Sequence, residues 1–220
     1  MPHKRIFGLL FFLPAFVACY HNPVFPARVG HIHRVVILGN SIVSQPPIPE
    51  RGWNHDWGMA ASAAQKDFVH LLTYAIHSRH PDVYIVYQTI GAFERQYRTF
   101  DWHRLDSLRG ADLYIVKLAE NVPDTATDFI PYYDKLISYL DTTGGVNVIM
   151  DGFWSNPINR PLAHYARDHH YPFIHISDLS GDTTMEARGL FLDRGVSVHP
   201  SDKGMQAIAD RIWNYIDVYF

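Results

Sequence analysis

Four short segments hold residue types that together could break an acyl bond. Each stands at the edge of an apolar run or of the last helical segment: Gly39-Asn40-Ser41-Ile42-Val43, Gln88-Thr89-Ile90-Gly91, Ala119-Glu120-Asn121 and Val198-His199-Pro200. A serine hydroxyl becomes a useful nucleophile only when an adjacent base takes its proton, and attack on a carbonyl builds an oxyanion that needs fixed donors. Ser41 with His199 would meet the first need. Glycine, which lets a backbone N–H approach closely, and an asparagine amide are residue types that could meet the second. Singly these residues have ordinary uses, a serine capping a helix, a glycine or an asparagine closing a turn. It is their joint placement that points to nucleophilic catalysis.

The elements that must position them are legible as alternating periods. Arg34 to Leu38, Val83 to Tyr87, Asp112 to Leu118, Val146 to Met150 and Pro172 to Ile176 are short apolar runs of the kind that form buried parallel strands. Between them, Ala61 to His80 places Phe68, Leu71, Leu72 and Ala75 on one stripe, and Asp128 to Leu140 and Arg160 to His169 suit shorter helices. Met205, Ile208, Ala209, Ile212, Trp213 and Ile216 give the last helix the clearest apolar face. Strands alternating with helices predict an α/β fold, a three-layer α/β/α sandwich around a mostly parallel five-stranded sheet. In such sheets the ligand site lies beyond the carboxyl ends of the strands, where the four segments fall.

Gly39-Asn40-Ser41-Ile42 resembles the Gly-Asp-Ser-Leu motif of the SGNH hydrolases, and the order of the later segments agrees with that family over roughly residues 34 to 217. The resemblance implies a flavodoxin-like fold, Ser41 as nucleophile, His199 as base, an oxyanion hole of Ser41, Gly91 and Asn121, and no cofactor. The Gly-x-Ser-x-Gly elbow of the α/β-hydrolases is not matched, because position 43 is Val43. Three departures stand out: Asn40 replaces the motif's aspartate, Ala119 and Val122 replace the outer residues of the third block, and Val196 occupies the place of the usual acid. Asp193 is the candidate third member of a triad. The alternative is a Ser-His dyad whose ring is held by a backbone carbonyl or water. Asn40, Trp57 and Trp154 are candidate substrate contacts, while Glu94 and Arg95, just after Gly91, either reach the cleft mouth or are ordinary solvated charge.

A formal net charge of -3 leaves no basic field for nucleic acid and suggests a neutral substrate. His31 with His33, or His169-His170 with His175, lack the spacing of a metal motif, so no metal is expected. Residues 1–18, with Lys4, Arg5 and the apolar run Ile6 to Val17, read as a signal peptide ending in Phe16-Val17-Ala18 before Cys19, the only cysteine. That junction resembles a bacterial lipobox, which implies lipidation of Cys19. Residues 19–33 read as a tether and 34–220 as the hydrolase domain. The expectation is an exported bacterial lipoprotein, periplasmic or at the cell surface, touching the membrane through its anchor only. Its substrate would be a small-molecule or glycan ester, most plausibly a carbohydrate losing acetyl or short acyl groups. A lipase, lysophospholipase or thioesterase on the same fold, and a non-catalytic glycan-binding protein on a decayed scaffold, are the alternatives.

Overall fold

The computed structural model describes residues 31–220; the signal peptide, Cys19 and most of the tether lie outside the described residues. Five strands form one parallel sheet: β1 (Arg34–Gly39), β2 (Tyr84–Thr89), β3 (Leu113–Lys117), β4 (Val146–Met150) and β5 (Phe173–Ile174), in the order β2-β1-β3-β4-β5. All five lie within the predicted apolar runs, give or take two residues. The fifth is only two residues long.

Alternation along the central strands splits the core in two. Val35, Ile37, Leu113, Ile115, Val148 and Met150 face one layer, packed by α1 (Phe68–His77) and, after the short α5 (Arg194–Ser197), by α6 (Asp202–Ile216). Val36, Leu38, Tyr114, Val116 and Ile149 face the other, covered by α2 (Gly91–Gln96), α3 (Phe129–Leu140) and α4 (Asn159–Asp168). Period-2 strands that are apolar on both faces require helices on both, and the sequence supplies them. The fold is the predicted three-layer sandwich.

Strand order fixes where a ligand can enter. The chain runs from β1 to its neighbour β2, then crosses to β3 on the other side of β1, so the connections diverge above β1 and leave a crevice there. Gly39 closes that strand end. A Cβ there would lie 2.4 Å from Val43 Cγ2 and 2.7 Å from the Lys117 carbonyl oxygen, so only glycine lets the chain turn this tightly beside β3. The turn is held by Val43 and Ser44, whose N–H groups both donate to the Asn40 carbonyl.

Candidate active site

Ser41 sits on the turn after β1, and its Oγ lies 2.8 Å from His199 Nε2. The imidazole arrives from the far end of the chain on a loop pinned at several points. Asp193 caps α5 by accepting from the Val196 N–H at 3.0 Å, the His199 N–H donates to Val196 O at 3.0 Å, and Ala187 N–H donates to His199 O at 2.9 Å. Ser201 then caps α6. At Gly204 a Cβ would come within 2.2 Å of the Met185 carbonyl oxygen, which ties that helix start against the 185–187 segment.

The ring's second nitrogen settles its tautomer. His199 Nδ1 lies 2.7 Å from the Gly195 carbonyl oxygen, which can only accept, so Nδ1 carries the hydrogen and Nε2 is left bare to accept from the Ser41 hydroxyl. Desolvation pushes the imidazolium down to about 4, only partly offset by the Gly195 carbonyl and the Glu120 charge, so the ring is neutral at pH 7.

Asp193 is not the orienting acid. Its carboxylate is spent on the helix N-terminus, and the carbonyl that holds the ring belongs to the helix it caps. The geometry is that of the dyad alternative. Replacing a triad aspartate by asparagine costs about 10,000-fold in kcat. Asp193→Asn, which keeps a capping oxygen, is expected to change kcat less than about 5-fold and to leave the thermal midpoint nearly unchanged. A loss of 1000-fold or more on p-nitrophenyl acetate would restore the triad.

Asn121 and Gly91 reach the Ser41 side of the crevice, lining with Asn40 and Ser41 a cavity of about 250 Å³. Neither the Ser41 nor the Gly91 backbone N–H has a hydrogen-bond partner among the described residues. The Asn121 amide is held at both ends: Oδ1 accepts from the Arg95 guanidinium, and Nδ2 donates to Glu94 at 2.6 Å. One Nδ2 hydrogen remains for the cleft.

Beneath these donors lies a buried charge cluster that the sequence reading missed. Glu94, which the sequence leaves at the cleft mouth or in solvent, is buried, as are Lys117 and the Glu120 side chain. Lys117 Nζ pairs with Glu120, which also accepts from Phe153 N–H at 2.7 Å. Asn40 Nδ2 bridges the two glutamates, 3.0 Å from Glu94 and 2.5 Å from Glu120. Its Oδ1 accepts from Ile42 N–H at 3.2 Å. Lysine and Glu120 cancel, so Glu94 is the excess charge. Burial first, then the Glu120 charge, pushes it up to about 7, while Glu120 is held below its ordinary range by Lys117. A usable signal existed: Lys117 sits inside an apolar run, and a buried lysine needs a carboxylate, which Glu120 supplies three residues on.

The cluster recasts Asn40: it borders the Ser41-side cavity, but it is wholly buried and its amide is committed to the two glutamates and to Ile42 N–H. Trp57 is likewise reassigned. It stacks on His55, donates to Ala61 O at 3.0 Å and packs against the core, away from both cavities at the site. Trp154 does stand at the site, edge-on to His199 with 5.1 Å between ring centres, and lines a second cavity of about 560 Å³ with Glu186, Arg188, Arg194 and His199. His175 is taken by Asp151 at 2.6 Å. His31, His33 and the unanticipated Asp82 bring one ligand atom each within 4.8 Å of one another at the opposite sheet edge, all three exposed.

No protein-family model matches the sequence, and no curated protein sequence does. Solved structures share the fold. A two-domain esterase (CEX) active on acetylated mannans superposes with a TM-score of 0.55 at 17% identity, over 88% of this chain and 51% of that one; its co-crystal with mannopentaose gives 0.59 at 19%, with the same coverage. This chain thus spans about half of that esterase. The psychrotrophic esterase EstA from Pseudoalteromonas sp. gives 0.55 at 14% identity, over 84% of this chain and 97% of that one. TesA gives 0.52 at 12%, over 85% and 99%. The architecture here is the flavodoxin-like SGNH fold of those proteins.

Proposed function

We propose that the chain is a serine esterase that removes acetyl or short acyl groups from a carbohydrate by a Ser41–His199 dyad. The observation that carries the reading is the 2.8 Å Ser41–His199 contact, made by a ring whose other nitrogen is already committed to Gly195, beside uncommitted donors. The esterase neighbours support it, and one of them acts on acetylated mannans. A decayed binding scaffold would have no reason to keep this pair in contact.

In the proposed reaction Ser41 Oγ bonds to the acyl carbon as its proton passes to Nε2, and the carbonyl oxygen receives the Ser41, Gly91 and Asn121 N–H groups. Collapse breaks the ester C–O bond, and the Nε2 proton leaves with the alcohol. Water, deprotonated by the same nitrogen, then releases the acid and restores Ser41. We further propose that the enzyme is exported and held by a lipid on Cys19, a reading supported by the apolar leader and the lipobox-like Phe16-Val17-Ala18-Cys19 junction.

The test is hydrolysis of p-nitrophenyl acetate, butyrate and octanoate by residues 20–220, followed across pH. Turnover falling from acetate to octanoate supports the short-acyl reading, and octanoate preferred over acetate would move it to lipid esters. Catalysis needs the neutral ring, and burial disfavours the charged one, so kcat/KM is expected to hold from pH 7 down to about 5 and to fall only near 4. An acid limb centred at 6.5, the ordinary histidine value, would show that the imidazole is not desolvated.

A further inference from the structure

The walls of the cleft carry a sign opposite to that of the whole chain. Arg95 and Arg104 line the cavity on the Ser41 side, and Arg188 and Arg194 line the cavity on the His199 side. Against these four stands one lining carboxylate, Glu186, already paired with Arg188. Arg95, Arg104 and Arg194 have no carboxylate partner among the described residues, whereas Arg98, Arg167 and Arg211 elsewhere each hold an aspartate. The acids under the cleft do not balance them: Glu120 is neutralised by Lys117, and Glu94 is pushed toward its neutral form. A chain of net charge -3 thus carries arginines without carboxylate partners, Arg95, Arg104 and Arg194, in both of the cavities that adjoin its reacting pair.

We propose that the natural substrate is an acyl ester on an acidic carbohydrate, one whose sugars bear carboxylate or sulfate groups on both sides of the acylated unit. This rests on the esterase reading above and replaces the neutral substrate suggested by net charge. Guanidinium groups match carboxylate and sulfate oxygens in planar, often bidentate pairs. Their division between one cavity at Ser41 and another at His199 fits a charge that recurs along a chain, as in a polymer, better than a single head group. The Ser41-side cavity is lined largely by polar side chains, among them Gln45, Thr89 and Asn121, which suits sugar hydroxyls rather than a long acyl tail. The bonds made and broken are those already given, with the carrier oxygen as leaving group.

The test compares acetylated uronate oligosaccharides, acetylated sulfated oligosaccharides and acetylated neutral mannan oligosaccharides, with p-nitrophenyl acetate alongside. Expected is a kcat/KM at least about 10-fold higher on one acidic series than on the neutral one, with KM for that series rising several-fold between 0.05 and 0.5 M salt as the charges are screened. In Arg104→Gln and Arg194→Gln the acidic-to-neutral ratio of kcat/KM should each fall about 5-fold or more. Equal or better turnover of the neutral series, or an unchanged ratio in both variants, overturns the proposal while p-nitrophenyl acetate turnover still upholds the esterase. Release of fatty acid from anionic phospholipid vesicles in preference to any glycan also overturns it, in favour of a lipid carrier that the exposed Leu190 and Leu192 beside Arg188 and Arg194 would then contact. Absence of turnover on p-nitrophenyl acetate and every glycan removes the esterase reading itself.

Discussion

Ser41→Ala is expected to lower kcat on p-nitrophenyl acetate by at least about 10,000-fold. Removing the nucleophile of a serine hydrolase costs about a million-fold where a full triad operates, and the oxyanion donors alone retain some catalysis over water. Here the orienting group is a neutral carbonyl rather than a carboxylate, so a lower starting rate and a correspondingly smaller ratio are expected. The substitution removes one oxygen from a half-buried site and breaks none of the bonds from Val43, Ser44 or Met59 that shape the turn, since those run through backbone atoms. The thermal midpoint should therefore move little. A folded Ser41→Ala protein with more than a tenth of wild-type turnover would reject the mechanism.

Asn40→Asp is expected to be nearly as damaging, although it restores the residue that the resembling motif carries. The Asn40 amide gives one hydrogen to each of two buried glutamates. An aspartate there donates neither and adds a third carboxylate to a pocket with one lysine. Removing a partner from a buried charge network costs about 3–5 kcal/mol. For a domain of this size that is a fall of roughly 10 °C in the thermal midpoint, at about 2–4 °C per kcal/mol. Activity should fall too, because Glu94 also anchors the Asn121 amide. A protonated carboxyl regains one donor, so the deficit in midpoint should shrink as pH drops from 8 to 5. Unchanged stability and turnover in Asn40→Asp would mean the bridge is not what holds the cluster.

That variant also marks where sequence reading stops. The apolar runs announced the strands because a strand covered on both faces has no polar side to show, and α6 was plain because one face of it is exposed. Ser41, Gly91, Asn121 and His199 could be located because each follows or precedes such an element. Glu94 could not be, since Gly91-Ala92-Phe93-Glu94-Arg95 has the composition of a solvated helix turn; its burial comes from three strand ends converging over it, a property of topology rather than of local pattern. With Glu94 and Glu120 unseen, Asn40 looked like a tolerated exchange instead of the residue that two carboxylates require. Triad and dyad stayed open in the sequence because closeness of Asp193 to His199 along the chain says nothing of which group meets the second ring nitrogen. The four-residue α5 that Asp193 caps is too short to reveal itself by periodicity.

β1 runs from Arg34 at the amino end of the sheet to Gly39 beneath Ser41, six residues or about 20 Å at the usual rise of a strand. Residue 31, where the described residues begin, therefore lies on the side away from the cleft. If the proposed lipid anchor exists, a leash attached there would turn the catalytic mouth outward, leaving a bulky polymer free to approach from the aqueous side without first displacing the surface that the anchor enters.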